Sequence, residues 1–127
     1  MFDITKKINL SFDEAYEKTV NAFKEQGFGV LTEINVKDTF KKKLDIEFDR
    51  YTILGVCNPP FAHQVLEHDR KIGLLLPCNV CIWESDNQVT ISAINPVTMF
   101  TALIQDKKIE GIAQEVKERI NKAMDAI

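Results

Sequence analysis

The sequence predicts a single α+β domain over residues 1–127, in which a largely antiparallel sheet carries helices packed on one face. Two segments of alternating apolar and polar residues flank the turn formers Ser85-Asp86-Asn87, which is typical of an antiparallel hairpin. Helical apolar patterns follow the first strand and close the chain. No repeat and no Pro/Gly-rich linker divides the 127 residues, so we expect one hydrophobic core.

The first strand is expected over residues 2–9, where apolar and polar side chains alternate except at Lys6. Ser11 then predicts a capping box, because its hydroxyl can accept the Glu14 amide while the Glu14 side chain returns to the Ser11 amide. Apolar residues recur every three or four positions after it, and Gly27 supplies a left-handed stop. The domain therefore begins with a strand and a helix.

A second strand is expected over residues 28–36, which are rich in β-branched and aromatic side chains. Asp38 is the expected cap of a short helix that ends at Leu44. A third strand is expected over residues 51–57. It ends at Asn58-Pro59-Pro60, since proline cannot continue a sheet ladder but fits the first turn of a helix.

The helix after the two prolines is expected at about residues 60–69, and the hairpin strands at 78–84 and 88–94. A short apolar stretch follows Asn95-Pro96 and runs to Leu103, without a predicted element. The chain closes with an amphipathic helix. Its apolar stripe consists of Ile109, Ile112, Ala113, Val116, Ile120, Ala123, Met124 and Ile127.

Composition excludes several functional classes. The 16 basic and 19 acidic residues give a net charge of −3, and Lys41-Lys42-Lys43 is the only cationic run, so we expect no nucleic-acid partner. The apolar runs are far shorter than the roughly 20 residues that span a bilayer, so we expect no membrane partner. The N-terminal residues lack the pattern of a signal peptide. The three cysteines are therefore expected to be reduced thiols in a soluble, cytoplasmic protein.

Two Cys-Asn pairs, Cys57-Asn58 and Cys78-Asn79, are the strongest site candidates. Cys57 precedes a helix N-terminus, where the helix dipole favours a thiolate, although cysteine is also one of the most often buried residue types. The spacing of Cys78 and Cys81 is that of zinc and redox sites. However, residues three apart on a strand face opposite sides of the sheet, so no metal site is predicted.

The two histidines are expected off the apolar arc of their helix. His63 lies one turn before Glu67, which is typical of a surface ion pair, and His68 lies at the other margin of the arc. Two histidines without clustered carboxylates do not suffice for a hydrolytic metal site. No Gly-rich phosphate loop and no nucleophile elbow is present.

The stretch LGVCNPPFAHQVLEHD, followed by IGLLLPCNV, resembles the signature of a family known as domain of unknown function 302. The resemblance extends to VLTEINVKDTFKKKL before the motif and to Asn95-Pro96 after it, and Cys81 falls outside the shared pattern. It implies an α+β fold with an antiparallel sheet backed by helices, and dimers of small proteins, but no established reaction. The shared positions are Cys57, Asn58, Pro59, His63, Pro77, Cys78 and Asn79.

Three hypotheses follow for the function. The first is a small-molecule binding module whose pocket lies where the two Cys-Asn pairs meet, with Cys57, Asn58, His63, Cys78 and Asn79 as candidate ligand-binding residues. The second is a thiol-based redox enzyme or sensor with Cys57 as the reactive group, Cys78 as its resolving partner and His63 as a base. The third is a structural or interaction protein. No cofactor is indicated, and a homodimer is expected from the resemblance.

Asn58 and Asn79 are further expected to matter for the shape of the fold. Each follows a cysteine where proline interrupts strand pairing, so nearby backbone groups lose their ladder partners. An asparagine side chain can both donate and accept at such a turn. We therefore expect both side chains to be buried and hydrogen bonded.

Overall fold

The computed structural model describes all 127 residues. The α+β class is confirmed. The elements in chain order are β1 (Asp3–Ile8), α1 (Phe12–Glu25), β2 (Gly29–Asn35), α2 (Val36–Leu44), β3 (Tyr51–Cys57), α3 (Pro59–His68), β4 (Cys78–Ser85), β5 (Gln88–Ile94), α4 (Pro96–Leu103) and α5 (Lys107–Asp125). The five strands form one antiparallel sheet of order β1-β5-β4-β3-β2. A 3₁₀ helix, Arg70–Leu75, joins α3 to β4.

One local expectation is corrected, and one stretch without a predicted element is a helix. The cap of α2 is Asn35 rather than Asp38, because the Asn35 side chain accepts the Asp38 amide at 3.0 Å and the helix begins at Val36. The apolar stretch after Asn95 forms α4, whose first amides the Asn95 side chain accepts. In both places an asparagine at the end of a strand caps the next helix.

Strand alternation divides the sheet into a covered face and an open face. On the covered face, Leu54, Val80, Ile82 and Ile91 are almost fully buried, and α1 and α5 contribute the buried side chains that meet them. Complete burial of one such side chain stabilises the fold by about 1.5–3 kcal/mol. The core thus lies between the central strands and the two longest helices.

The short helix α2 lies on the open face, beside the edge strand β2. Tyr51 of β3 points to this face, where it stacks on Trp83 at 5.3 Å between ring centroids. Phe48 packs edge-on against Phe40 of α2 at 5.0 Å. The rings of Phe48 and Tyr51 lie 6.2 Å apart between centroids, so a line of aromatic rings joins α2 to the middle of the open face.

The interruption at Lys6 in the first strand is explained by α5. Lys6 points to the covered face, and its Nζ donates to the carbonyl oxygens of Met124 at 3.0 Å and Ile127 at 2.6 Å. Carbonyls at a helix C-terminus lack intrahelical partners and attract a cation. Lys6 is therefore a capping residue supplied from a distant strand.

The predicted start and stop of α1 are confirmed, although the Glu14 side chain meets the Ser11 hydroxyl rather than the Ser11 amide. The Ser11 hydroxyl accepts the Glu14 amide at 3.2 Å, and it donates to the Glu14 carboxylate at 2.9 Å. Gly27 adopts φ = +87° just after the helix.

No helix of the chain combines the length and the apolar character that crossing a membrane requires.

Gly55 and Gly29 give a test of the sheet packing. A Cβ at Gly55 would lie 2.2 Å from Thr32 Oγ1 and 2.7 Å from Pro77 Cγ, whereas a Cβ at Gly29 would meet nothing within 4 Å. We expect Gly55→Ala to lower the free energy of unfolding by about 1–3 kcal/mol through overpacking. Gly29→Ala, a change of the same size in the adjacent strand, should leave it within about 0.5 kcal/mol. Urea denaturation measures both, and equal midpoints for the two variants would contradict the packing described.

Candidate functional site

A small apolar cavity lies where β3 ends and β4 begins, covered by α3, α4 and α5. The space in it that is open to water-sized molecules is about 30 Å³. One water needs about 10–15 Å³ of such space, so the cavity has room for about two or three waters. It is lined by Phe28, Val56, Cys57, Asn58, Phe61, Ala62, Val65, Leu76, Cys78, Phe100, Ile112, Ala113 and Val116.

Three of the five candidate site residues, Cys57, Asn58 and Cys78, line this cavity. The antiparallel register places Val56 directly opposite Cys78, so the end of β3 meets the start of β4. The two Cys-Asn pairs were expected to lie together. Both cysteines line the cavity, but Asn58 is the only one of the two asparagines that does.

Both thiols are held in the protonated form. Burial raises the pKa of Cys57. Burial, together with the neighbouring Cys57, raises the pKa of Cys78 to about 11. The thiolate is the nucleophilic form of cysteine, so these thiols are weak nucleophiles at neutral pH.

The N-terminus of α3 gives Cys57 little help in forming a thiolate. Pro59 and Pro60 have no N–H group, and the Ala62 amide already donates to the Asn58 carbonyl at 3.0 Å. Of the first-turn amides that normally favour an anion, only that of Phe61 remains. The prolines that start the helix thus remove the donors on which the thiolate expectation relied.

The carbonyl oxygen of Gln26 links three helices at the edge of the cavity, because Asn58 and Arg119 both donate to it. Asn58 is 7% exposed, and its Nδ2 donates to the carbonyl oxygen of Gln26, just after α1, at 3.3 Å. Arg119 of α5 donates to the same oxygen at 3.4 Å from Nη1. Because the two prolines leave few amides for Asn58 to cap, its side chain is available for α1 instead.

His63 and Asn79 lie outside the cavity. The His63 side chain is 77% exposed and faces Glu67, with 3.6 Å between Nε2 and Oε1, in the predicted surface pair. Asn79 is exposed on the open face, opposite Gly55 of β3. The expectation that the Asn79 side chain is buried at a turn is wrong, because Asn79 continues β4 with its side chain on the face opposite to that of Cys78.

Most of the cavity wall consists of apolar residues that the sequence marked only as core. Phe100 and Val116 come from α4 and α5, far along the chain from the Cys-Asn pairs. The helical stripe at the end of the chain predicted burial of Val116, whereas Phe100 lay in a stretch without a predicted element, and neither pattern indicated an unfilled space between them. No sequence signal distinguishes a residue that fills a core from one that borders a cavity.

The structure contains no group of three or more His, Cys, Asp or Glu side chains able to hold a metal ion. Cys78 is buried on the covered face, and Cys81, three positions later, is half-buried and lies opposite Ile53 on the open face. Their two sulfurs therefore lie on opposite sides of the sheet, as strand alternation predicts.

A comparison with known protein families shows which family the chain belongs to. Residues 4–127 match a family described as "Domain of unknown function DUF302". The chain belongs to the DUF302 family. No curated protein is detectably similar to it.

A solved DUF302 structure has the same fold. It is the crystal structure of an uncharacterized conserved protein DUF302 from Bacillus stearothermophilus, which is 27% identical to this chain. The superposition covers 99% of this chain and 98% of that one, with a TM-score of 0.91. The DUF302 architecture thus accounts for the whole chain, including the residues that surround the cavity.

Asn58 and Asn79 provide a matched pair of substitutions. In Asn58→Asp the buried donor to the Gln26 carbonyl is replaced by a carboxylate oxygen that can only accept. We expect the free energy of unfolding to fall by about 1–3 kcal/mol. Asn79→Asp, on an exposed side chain, should keep the wild-type midpoint in urea. A wild-type midpoint for Asn58→Asp would show that the hydrogen bond to Gln26 contributes nothing.

The raised pKa values predict how the thiols react. In the folded protein at pH 7, iodoacetamide should alkylate Cys57 and Cys78 more slowly than it alkylates a cysteine in an unstructured peptide. The alkylation rate of each of these two cysteines should increase at a higher pH than the rate of the peptide cysteine does. The reason is that a thiol with a raised pKa forms its thiolate at a higher pH. Mass spectrometry of the modified protein follows each site, with the same chain in urea as the control. Faster reaction of Cys57 than of the peptide would contradict the protonated state described here.

Proposed function

We propose that the chain is a binding module for a small, mainly apolar molecule, held in the cavity between β3, β4 and the three helices. The observation that carries the proposal is the chemistry of the cavity wall. Twelve of its thirteen residues are hydrophobic, cysteines included, and Asn58 is the one strongly polar member. Ligand sites commonly combine an apolar lining with a few polar groups that orient the ligand.

The size of the cavity restricts the ligand. Sites for metabolites of drug size occupy roughly 300–1,000 Å³, about ten times the space present here or more. A molecule of a few non-hydrogen atoms, with at most one hydrogen-bonding group, is the class that matches. Asn58 and the two protonated thiols are the groups that such a molecule would meet, whereas His63 and Asn79 are too far towards solvent to line the space.

The redox alternative has one observation in its favour, because Cys57 and Cys78 border the same cavity. Two observations argue against it. Burial raises the pKa of both thiols, and the exposed His63 pairs with Glu67 instead of lining the cavity as a base for Cys57. A structural role for the Cys-Asn pairs is the remaining alternative, and it predicts a cavity that binds nothing.

Cavity filling tests the proposal. Xenon and short-chain alcohols serve as probes, since dry apolar cavities take up such atoms and molecules. For the wild-type protein we expect saturable chemical-shift changes confined to amides of the lining residues. Ala62→Leu places a larger side chain at the wall and should reduce probe affinity at least about 10-fold.

The control is Ala102→Leu, the same substitution at an exposed position of α4. It should leave the affinity for the probes unchanged. Thermal melting of both variants establishes that each is folded. Absence of any saturable shift in the wild-type protein would reject the binding proposal and leave the structural role.

A further inference from the structure

A second recess lies on the open face, beside the start of β4. We call it the outer groove, and the space in it that is open to water-sized molecules is about 280 Å³. It is lined by Leu74, Leu75, Leu76, Pro77, Asn79, Ile94 and Met99. All of these except Pro77 and Asn79 are Leu, Ile or Met, and both Leu74 and Asn79 are exposed. The outer groove is therefore a mainly apolar recess that opens to solvent.

Leu76 belongs to the walls of both the outer groove and the cavity, and no other residue does. It lies two positions before Cys78, the first residue of β4, and so just outside the sheet. A side chain beyond the end of a strand can border spaces on both sides of the sheet, since no strand separates the two faces there. The half-buried Leu76 side chain is therefore the point that the two spaces share.

The residues next to this point show that the two spaces lie back to back. In β4, Cys78 lines the cavity and its neighbour Asn79 lines the outer groove. In α4, Phe100 lines the cavity and its neighbour Met99 lines the groove. Consecutive Cα atoms are about 3.8 Å apart, so the wall between the spaces is thin. The second Cys-Asn pair thus contributes one residue to each space.

The wall of the cavity comes near to solvent on two sides. Four of its lining residues are half-buried, and the others are buried. Cys57, Phe61 and Ala62 lie at the start of α3, whereas Leu76 lies at the end of the sheet. A molecule from solvent therefore has two short routes into the cavity.

Polar contacts close the route at α3. The Arg119 guanidinium lies over the Phe61 ring, with 5.5 Å between Cζ and the ring centroid. Arg119 and Asn58 both donate to the Gln26 carbonyl beside it. Entry on this side would separate these groups and move the start of a helix.

The route at Leu76 is closed by an apolar side chain. The Leu76 amide donates to the Gly73 carbonyl at 3.2 Å, which holds the backbone in place. The leucine side chain has no polar atom, and it can change between staggered rotamers while the backbone stays where it is. Opening at Leu76 therefore breaks no hydrogen bond.

We propose that a small apolar molecule reaches the cavity through the outer groove, with the Leu76 side chain as the gate between them. This inference rests on the proposed binding function, because it supplies an entrance to the same site. An apolar molecule gains free energy when it leaves water for the apolar groove, so the groove concentrates it at the gate. Rotation of the Leu76 side chain then opens the cavity, and the reverse rotation closes it behind the bound molecule.

Xenon tests the gate, since dry apolar cavities bind it. Saturation transfer between the NMR signals of free and bound xenon gives the rate constants of entry and exit. We expect Leu76→Ala to raise the entry rate constant at least about 10-fold, because it removes most of the side chain that blocks the route. Leu76→Met keeps nearly the same volume in a more flexible side chain, so it should raise the entry rate constant by a smaller factor.

Two controls distinguish a gate from an ordinary wall residue. Val116 lines only the cavity, so Val116→Ala should change the affinity for xenon through the exit rate and leave the entry rate constant unchanged. Leu10 is another half-buried leucine that packs against the core, and it lines neither space. Leu10→Ala should therefore change neither rate constant. Thermal melting establishes that each variant is folded.

The outcomes for the gate and for the binding function differ. Xenon binding by the wild-type protein, with an entry rate constant that neither Leu76 variant raises, would overturn the gate and leave the binding function standing. An equal increase in Leu10→Ala and Leu76→Ala would also overturn the gate, since general loosening would then explain the entry. Absence of xenon uptake by the wild-type protein would overturn both proposals.

Discussion

The antiparallel pairing of β3 with β4 is the constraint on which the candidate site depends. With Val56 opposite Cys78, the chain leaves β3 at the point where it later enters β4. Alternation then decides the direction of the side chains within these strands, whereas Cys57 borders the cavity from the last position of β3. A register shift by one residue would send Cys78 to the open face and bring Asn79 into the cavity. The covered face, with Val80 and Ile82 buried against helices, holds the register that prevents this.

The two prolines after Asn58 have an effect beyond starting a helix. At Asn95, which precedes a single proline, the side chain accepts amides of α4 as a normal cap. At Asn58, which precedes two, the side chain makes no cap bond and donates to the end of α1. The second proline, Pro60, stands where α4 has the Val97 amide, so Asn58 lacks the amide that Asn95 accepts and its side chain is left for a neighbouring helix. The same loss of donors keeps the environment of Cys57 unfavourable for a thiolate.

The sequence predicted the fold well because its signals were local. Strand alternation predicts the bounds of β3. The ability of glycine to adopt a positive φ predicts that α1 stops at Gly27. The cavity was less predictable, because Phe100 and Val116 reach it only through the packing of distant helices. Asn79 was misplaced since its neighbour Pro77 suggested a turn, whereas β4 begins at Cys78 and its alternation turns Asn79 outward. Lys6, an exception in the pattern, had a partner 118 residues away that no local rule could show.

The position of β1 in the sheet imposes an order on folding. Among the strands, β1 pairs only with β5, and Lys6 finds its carbonyl partners only at the end of α5. The meander β2-β3-β4-β5 can pair neighbour by neighbour, whereas β1 must meet a strand from the far end of the domain sequence. Contacts of such long sequence separation slow folding. Until they form, the side of β5 that will receive β1 is an open strand edge, available to any other extended peptide.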